Sequence, residues 1–394
     1  MTEFFNTGLS QQEFLEHYWQ KKPLLIRQAF VDFETPISPD DLAGLACEPE
    51  IESRLIEENG QEGAWQVTNG PLSEDDFARL PETHWTMLVQ DVEKHLPELQ
   101  YLLDPFRFIP DWRRDDLMVS YAPEHGTVGP HTDGYDVFLL QAMGTRRWQI
   151  GDKPVHNAQL IEGLNLQILA EFNPDEEWIL EPGDILYLPP HFAHHGVALD
   201  DGMTFSFGFR APSRTDLLDS VINTLLEHDL GKSRYTDPEL AVSEYGSEIN
   251  SDAIIRLKQL LHQSIDEAEP VLASALGKFV TDTKSSLANI AQESLSDLPT
   301  IDDITSQFDS GDSLSRNLYY RFAWAKNERG GQLFMAGEAY CLDMQGQDNL
   351  PLLAENSVIT RADWQQLKKD VPSANLLCQL IAEGGWNWLS ESQD

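Results

Sequence analysis

Apolar and polar positions alternate in short runs through the first half of this chain and recur at three- and four-residue spacing in much of the second. The alternating runs predict strands, because successive side chains of a strand point to opposite faces. Strands are read at Arg54 to Glu58 and Ala64 to Thr68 around Asn59-Gly60, Leu117 to Tyr121, Thr145 to Ile150 and Met203 to Phe209, and in the short continuous apolar runs Val137 to Leu140 and Ile185 to Leu188. Gly144, Gly151-Asp152, Glu181-Pro182-Gly183-Asp184 and Asp200-Asp201-Gly202 supply the turns, and Pro189-Pro190 stops a ladder. Short strands with frequent turns predict a closed antiparallel barrel or jelly roll. Helices precede and brace it: Ser10 to Glu13 forms a capping box for a helix through Trp19, Ser38-Pro39-Asp40-Asp41 opens another, and Ser73 to Leu80 and Asp91 to Leu103 read as two more. Trp85 and Trp112 read as core aromatics.

Beyond Ala211-Pro212 the period changes. Leu217, Leu218, Val221, Ile222, Leu225 and Leu226 fall on one helical stripe, Ser251-Asp252 caps a second helix carrying Ile254, Ile255, Leu257, Leu260 and Leu261, and a third is expected from about Glu267 to Asp282. A polar stretch from Ser285 to Thr300 reads as a linker or the start of a last domain. There Leu318 to Ala325 and Gln332 to Ala336 read as a hairpin, Thr360 to Asp363 caps a helix from Trp364 to Lys369, and a final apolar segment covers Ala374 to Ile381.

Composition narrows what this fold works on. A chain of 394 residues with 41% hydrophobic and 10% aromatic content suffices for two or three domains. With 66 acids against 27 bases its formal charge is −39, which opposes direct binding to a nucleic-acid backbone and favours a basic protein partner. No basic leader opens the sequence and no apolar run reaches membrane-spanning length, so a cytoplasmic protein without a membrane partner is expected. Three scattered cysteines, Cys47, Cys341 and Cys378, suggest reduced, buried thiols. Neither a nucleophile elbow nor a phosphate-cradling Gly-rich loop is present.

The chemistry concentrates in Gly129-Pro130-His131-Thr132-Asp133-Gly134, at the mouth of the Val137 run. Two residues apart on extended chain, His131 and Asp133 share a face. A third histidine follows in the cluster His191, His194, His195. Two imidazoles and a carboxylate on one face of a metal make the triad that suits non-haem Fe(II), whereas structural zinc more often takes four protein ligands. A strand resuming at His194 would put His194, Gly196 and Ala198 on one face and His195 on the other, with His191 in the turn; spacing alone leaves the third ligand open. His125, beside Gly126, reads as a loop residue.

From about Phe14 to Arg210 the chain resembles the JmjC-type, cupin-like 2-oxoglutarate oxygenases. Tyr18 to Leu24, Gly129 to Gln141, Gly144 to Trp148 and Pro189 to His194 together resemble the bacterial ribosomal oxygenases. The resemblance implies an α+β protein: a JmjC double-stranded β-helix over residues 1–212, a helical dimerisation domain over 213–290 and a winged-helix-like domain over 291–394. It implies Fe(II) on His131, Asp133 and His194, with 2-oxoglutarate and O₂ as cosubstrates. Arg146 matches the family position that holds the far carboxylate, a task suited to a bidentate, permanently charged guanidinium, with Arg147 pointing away. Ser120 matches a position near the cosubstrate, and Tyr135 and Asp136 lie where they could line the substrate mouth. The implied activity is hydroxylation of an arginine in large-subunit ribosomal protein L sixteen by a homodimer. A JmjC hydroxylase or demethylase of another basic protein is the alternative within enzymes, and a non-catalytic cupin-like binding module the alternative outside them. The acidic winged helix is expected to dock protein, not DNA.

Overall fold

The computed structural model describes residues 4–59, 64–164, 166–242, 245–288, 290 and 297–389. Gly60 of the expected Asn59-Gly60 turn and positions 289 and 291–296 of the expected linker lie outside them. The chain divides into two compact units, Met1–Ala211 with Ser285–Ile290 and Pro212–Lys284 with Ala291–Asp394.

The first unit is a double-stranded β-helix. Its strands are β1 (Leu24–Ile26), β2 (Ser53–Asn59), β3 (Ala64–Asn69), β4 (Trp85–Val89), β5 (Arg114–Ala122), β6 (Asp136–Met143), β7 (Arg146–Pro154), β8 (Glu176–Leu180), β9 (Ile185–Leu188), β10 (Phe192–Ala198) and β11 (Gly202–Phe209). Eight form one sheet in the order β1-β9-β6-β11-β5-β4-β2-β3, and β10-β7-β8 form a second. The two-residue period sorts each strand of the large sheet. On β11, Met203, Phe205, Phe207 and Phe209 join a core with Phe4, Phe14, Phe106 and Phe138, while Thr204, Ser206 and Gly208 face a pocket on the other side. Val137 and Leu139 of β6 meet Trp148 and Ile150 of β7 in a smaller core between the sheets. Helices α1 (Gln11–His17), α2 (Pro39–Ala46) and α3 (Glu74–Ala78) start at the serine-led capping boxes of Ser10, Ser38 and Ser73.

Three expectations change here. The single helix expected from Asp91 to Leu103 is α4 (Val92–His95) followed by a 3₁₀ stretch, Pro97–Phe106. Pro97 has no N–H to continue the α ladder and drives Leu96 to φ −123°, ψ 86°. The strand expected to stop at Gly151-Asp152 runs on to Pro154. Strands β1, β4 and β8 are too short or too continuously apolar to have shown a period.

The second unit begins with α5 (Arg214–Glu227), α6 (Ser251–Ala268) and α7 (Leu272–Thr281). Asn250, not Ser251, caps α6 by accepting from the Ala253 amide. The helix expected to start at Glu267 starts at Leu272, because α6 continues to Ala268 and Pro270 sits in the 3₁₀ turn between them. α7 lies so close on a meander of β13 (Phe322–Asn327), β14 (Gly330–Met335) and β15 (Glu338–Asp343) that a Cβ on Gly277 would come within 2.4 Å of the Phe334 ring. Strand β12 (Ser313–Arg316) precedes the meander and pairs with β16 (Val358–Ile359) and β17 (Trp386–Leu389). Beside that sheet α8 (Ile301–Asp309), α10 (Arg361–Leu367) and α11 (Val371–Ala382) contact one another, completing a winged helix, with α9 (Leu350–Glu355) against β13. Trp364, Trp386, Phe308 and Leu314 are buried in its core. Cys47 is half-buried and Cys378 buried, but Cys341 is exposed, since its side of β15 faces away from that core.

Candidate metal centre

Alternate residues of six strands line a pocket of about 430 Å³: Arg54 and Ile56 on β2, Asp116, Met118 and Ser120 on β5, Val137 and Leu139 on β6, Arg146 and Trp148 on β7, His194 on β10, and Thr204, Ser206 and Gly208 on β11. Leu88 of β4 and Gln90, just beyond that strand, close its far side.

At one end stand His131, Asp133 and His194, each offering an atom within 4.8 Å of the others. His131 and Asp133 are not on a regular strand; His131 makes a single antiparallel bridge with His194 before β6 begins. Each donates its amide to the other's carbonyl at 3.0 Å, which joins the two halves of the site. The extended backbone still puts Asp133 on the side of His131. Asp133 Oδ1 lies 3.8 Å from His131 Nε2, and Asp133 Oδ2 lies 3.5 Å from His194 Nε2. The Asp133 carbonyl accepts from the His191 amide at 2.7 Å.

Both imidazoles are oriented by the same device. His131 Nδ1 lies 2.9 Å from the Gly129 carbonyl and His194 Nδ1 lies 2.9 Å from the Phe192 carbonyl. A carbonyl can only accept, so each Nδ1 carries the proton and each Nε2 presents a lone pair towards Asp133. Burial and then the neighbouring His131 ring push the His194 pKa down to about 4, which keeps its imidazole neutral and ligating at physiological pH. An N₂O set with one face closed by protein fits a divalent transition metal such as Fe(II).

The other histidines are elsewhere. His195 faces out of the pocket towards Phe172, His191 takes a turn with φ +67° beside His156, and His125 pairs with His84 in a loop.

Across the pocket Arg146 is 4% exposed. Its Nη1 and Nη2 make long bonds of 3.3 and 3.4 Å to Thr204 Oγ1 and the Gly196 carbonyl, and its Nε has no partner among the described residues. Burial alone lowers its pKa, to about 10, so it remains charged at neutral pH. A buried cation held this loosely calls for an anion, and a ligand carboxylate supplies one. Trp148 packs against both Arg146 and His194, with 5.3 Å from guanidinium to ring and 5.8 Å between rings. Gly196 makes room for the stack: a Cβ there would lie 2.7 Å from the Trp148 ring and 2.8 Å from Arg146 Nε. Arg147 turns outward, 3.9 Å from Glu177. Ser120 lines the pocket and reaches the Thr204 carbonyl at 3.5 Å.

Of the two mouth residues, Tyr135 lines the pocket. Asp136 does not: it is fully buried on the opposite face, accepting from Tyr187 Oη at 2.7 Å and Gln20 Nε2 at 2.9 Å. Being next to Tyr135 in a strand sends it to the other side. Arg54, Gln90 and Asp116 are pocket residues that sequence patterning missed. Their strands are far apart in sequence, and the only local signal is a polar residue at the buried phase of β5.

Comparison with known proteins agrees with this geometry. Residues 101–217 match the JmjC domain, and residues 259–387 match the ROXA-like winged helix. The chain is 35% identical over 97% of its length to the ribosomal protein uL16 3-hydroxylase of Escherichia coli, covering 98% of that protein. It is 40% identical over 64% of its length to a probable ribosomal oxygenase of Haemophilus influenzae, covering 58% of it. An X-ray structure of E. coli YcfD superposes with a TM-score of 0.83 at 33% identity, covering 97% of this chain and 99% of that one. The ribosomal oxygenase YcfD in complex with cobalt and 2-oxoglutarate superposes with a TM-score of 0.80 at 33% identity and the same coverage.

Proposed function

The chain belongs to the JmjC-type ribosomal oxygenases, and on that premise we propose that it is an Fe(II)- and 2-oxoglutarate-dependent hydroxylase of ribosomal protein uL16, acting on an arginine side chain. The observation that carries this reading is the pairing, in one pocket, of the His131, Asp133 and His194 donor set with the buried cation Arg146. A metal-free binding module has no need of either.

In this reading His131, Asp133 and His194 hold the metal, and Arg146 binds the far carboxylate of 2-oxoglutarate with Ser120 and Thr204 beside it. Bound Fe(II) with 2-oxoglutarate and O₂ supplies the oxidising chemistry, giving succinate, CO₂ and a hydroxylated side chain. The protein's own residues do the positioning. The Gly129 and Phe192 carbonyls fix the imidazole tautomers, Trp148 braces Arg146 against the His194 ring, and the apolar wall of Val137 and Leu139 keeps bulk water from the reacting side chain. Asp116 is the pocket's second carboxylate and suits a guanidinium substrate.

The remaining assignments follow the same reading: an oxygenase domain over 1–212, a dimerisation region over 213–290, a protein-docking winged helix over 291–394, and a cytoplasmic homodimer. Supporting the dimer, Leu218, Ile222 and Leu226 of α5 and Ile254, Ile255 and Leu261 of α6 are exposed. No helix among the described residues is long and apolar enough to cross a membrane.

Anaerobically reconstituted enzyme should convert 2-oxoglutarate to succinate and add one oxygen atom to a uL16 peptide, read by mass spectrometry. Succinate formation with no mass shift on uL16, but a shift on another basic protein, would redirect the substrate assignment. No Fe(II) binding at all would remove the enzyme reading.

A further inference from the structure

Gln141 ends the Gly129 to Gln141 run and has no part in the site described above. It follows Val137 and Leu139 of β6 at two-residue spacing, and its partner across the sheet is Thr204 of β11. The pairing is irregular here. Met203 pairs with Met143 and the next residue, Thr204, pairs with Gln141, so Ala142 is left over as a β-bulge. At the bulge the Gln141 side chain turns along its own strand, and its Nε2 donates to the Met143 carbonyl at 2.8 Å. Gly202 leaves room for this: a Cβ there would lie 3.0 Å from the Met143 oxygen and 3.3 Å from Gln141 Nε2.

The hydrogen bonds that start at Met143 can run in one direction only. A carbonyl only accepts, so the Met143 oxygen fixes which end of the amide is Nε2 and turns Oε1 to Thr204. Oε1 also only accepts, so the Thr204 hydroxyl gives its single proton to it at 3.2 Å. What the hydroxyl then presents to Arg146 Nη1, 3.3 Å away, is a lone pair. A guanidinium only donates, so the chain ends on a matched pair. Gln141 and Thr204 are 1% and 2% exposed, so bulk water does not replace a lost partner. Without the amide oxygen nothing keeps the hydroxyl proton away from Arg146, and the guanidinium loses one of its two holds, the other being the Gly196 carbonyl.

We propose that Gln141 is a positioning residue for the cosubstrate: through the Thr204 hydroxyl it holds the Arg146 guanidinium in the orientation that meets the far carboxylate of a 2-oxo dicarboxylic acid. Gln141 acts through Arg146 and not on the cosubstrate itself. The inference rests on the hydroxylase reading above and deepens it by naming what sets the Arg146 geometry.

The test measures binding, not turnover. Full-length Co(II)-loaded protein is titrated by calorimetry with 2-oxoglutarate and with oxalate, which has a metal-chelating end and no far carboxylate. Gln141→Leu is expected to raise the 2-oxoglutarate Kd about tenfold, the scale of one hydrogen bond to a charged group, and to leave the oxalate Kd within about twofold. In a Thr204→Val background the same change should add less than about twofold, because the hydroxyl through which Gln141 acts is already gone. An unchanged or lower 2-oxoglutarate Kd in Gln141→Leu overturns the proposal. So do equal rises for the two ligands, which mark a general disturbance of the pocket, and full additivity with Thr204→Val. If Gln141→Leu does not fold, Gln141→Met, which keeps the side chain's length without its amide, decides on the same criteria. Wild-type protein that binds Co(II) but not 2-oxoglutarate overturns the hydroxylase reading and this one together; wild type that binds it, with unaltered variants, overturns this one alone.

Discussion

Arg146 and Arg147 are neighbours in sequence and sit in opposite environments, one buried behind Trp148 and the other beside Glu177 at the surface. If Arg146 takes the far carboxylate of 2-oxoglutarate, Arg146→Ala should raise the 2-oxoglutarate KM by about 10- to 100-fold, the cost of a charge-assisted pair. Arg147→Ala should leave it within about twofold, as expected when only an exposed ion pair is lost. Steady-state kinetics on the two variants checks this, and equal effects would remove Arg146 from the site. The neighbouring histidines give a parallel test by cobalt absorption titration. His194→Ala should abolish metal binding, whereas His195→Ala, its ring turned towards Phe172, should retain it. Spacing left His191, His194 and His195 open as the third ligand. The backbone bridge from His131 to His194 separates them, and a pairing between positions sixty-three residues apart leaves no local trace in sequence.

At the scale of elements, the helix starts at Ser10, Ser38, Ser73 and Thr360 were the most legible features, whereas the capping boxes at Ser213 and Thr300 went unread. Ser10, Ser38, Ser73 and Thr360 each accept from the N3 amide, and each N3 acid reaches back, because the motif is satisfied within four residues. Thr360→Ala should therefore destabilise the second unit by about 1 kcal/mol in denaturant melts. Removing the buried Trp364 side chain from the same helix, α10, should cost about 3–5 kcal/mol. A smaller loss for tryptophan than for the cap would contradict the packing described. Elements whose limits depend on neighbours were harder to place. β7 runs past Gly151 because β10 continues to pair with it as far as Pro154, and β1 persists as three residues because β9 pairs with it. The Tyr18 to Leu24 motif gains its reason at this scale: Gln20, at φ +57°, turns its amide to Tyr187 Oη and its side chain to Asp136.

For the whole molecule, the charge of −39 and the apolar faces of α5 and α6 make separate predictions. Association with a basic uL16 peptide should slow as salt rises, with the on-rate changing more than the off-rate, in stopped-flow measurements between low and physiological ionic strength. An on-rate indifferent to salt would leave the acidic surface without a part in substrate capture. Replacing Ile222 and Leu226 with glutamate should shift a dimer to monomer in sedimentation velocity, since charge on a desolvated apolar interface is unfavourable. An unchanged sedimentation coefficient would place self-association elsewhere or nowhere.

The sequence by itself determined the strand phases, the helix starts at Ser10, Ser38, Ser73 and Thr360, the change of architecture near Pro212 and the residue types of a His-Asp-His centre, all of which depend on periods and caps only a few residues long. Family resemblance, carried by motifs within 18–194, aimed that centre at a ribosomal protein. Only the tertiary structure decided that His194 meets His131, that Asp136 turns its back on the pocket, and that Arg54, Gln90 and Asp116 meet at its far side. The physical reason is that sheet neighbours are chosen by long-range pairing. Strands β2, β4 and β5 adjoin through hydrogen bonds between segments tens of residues apart, so a polar side chain's partner is set by register across the sheet and not by its neighbours along the chain.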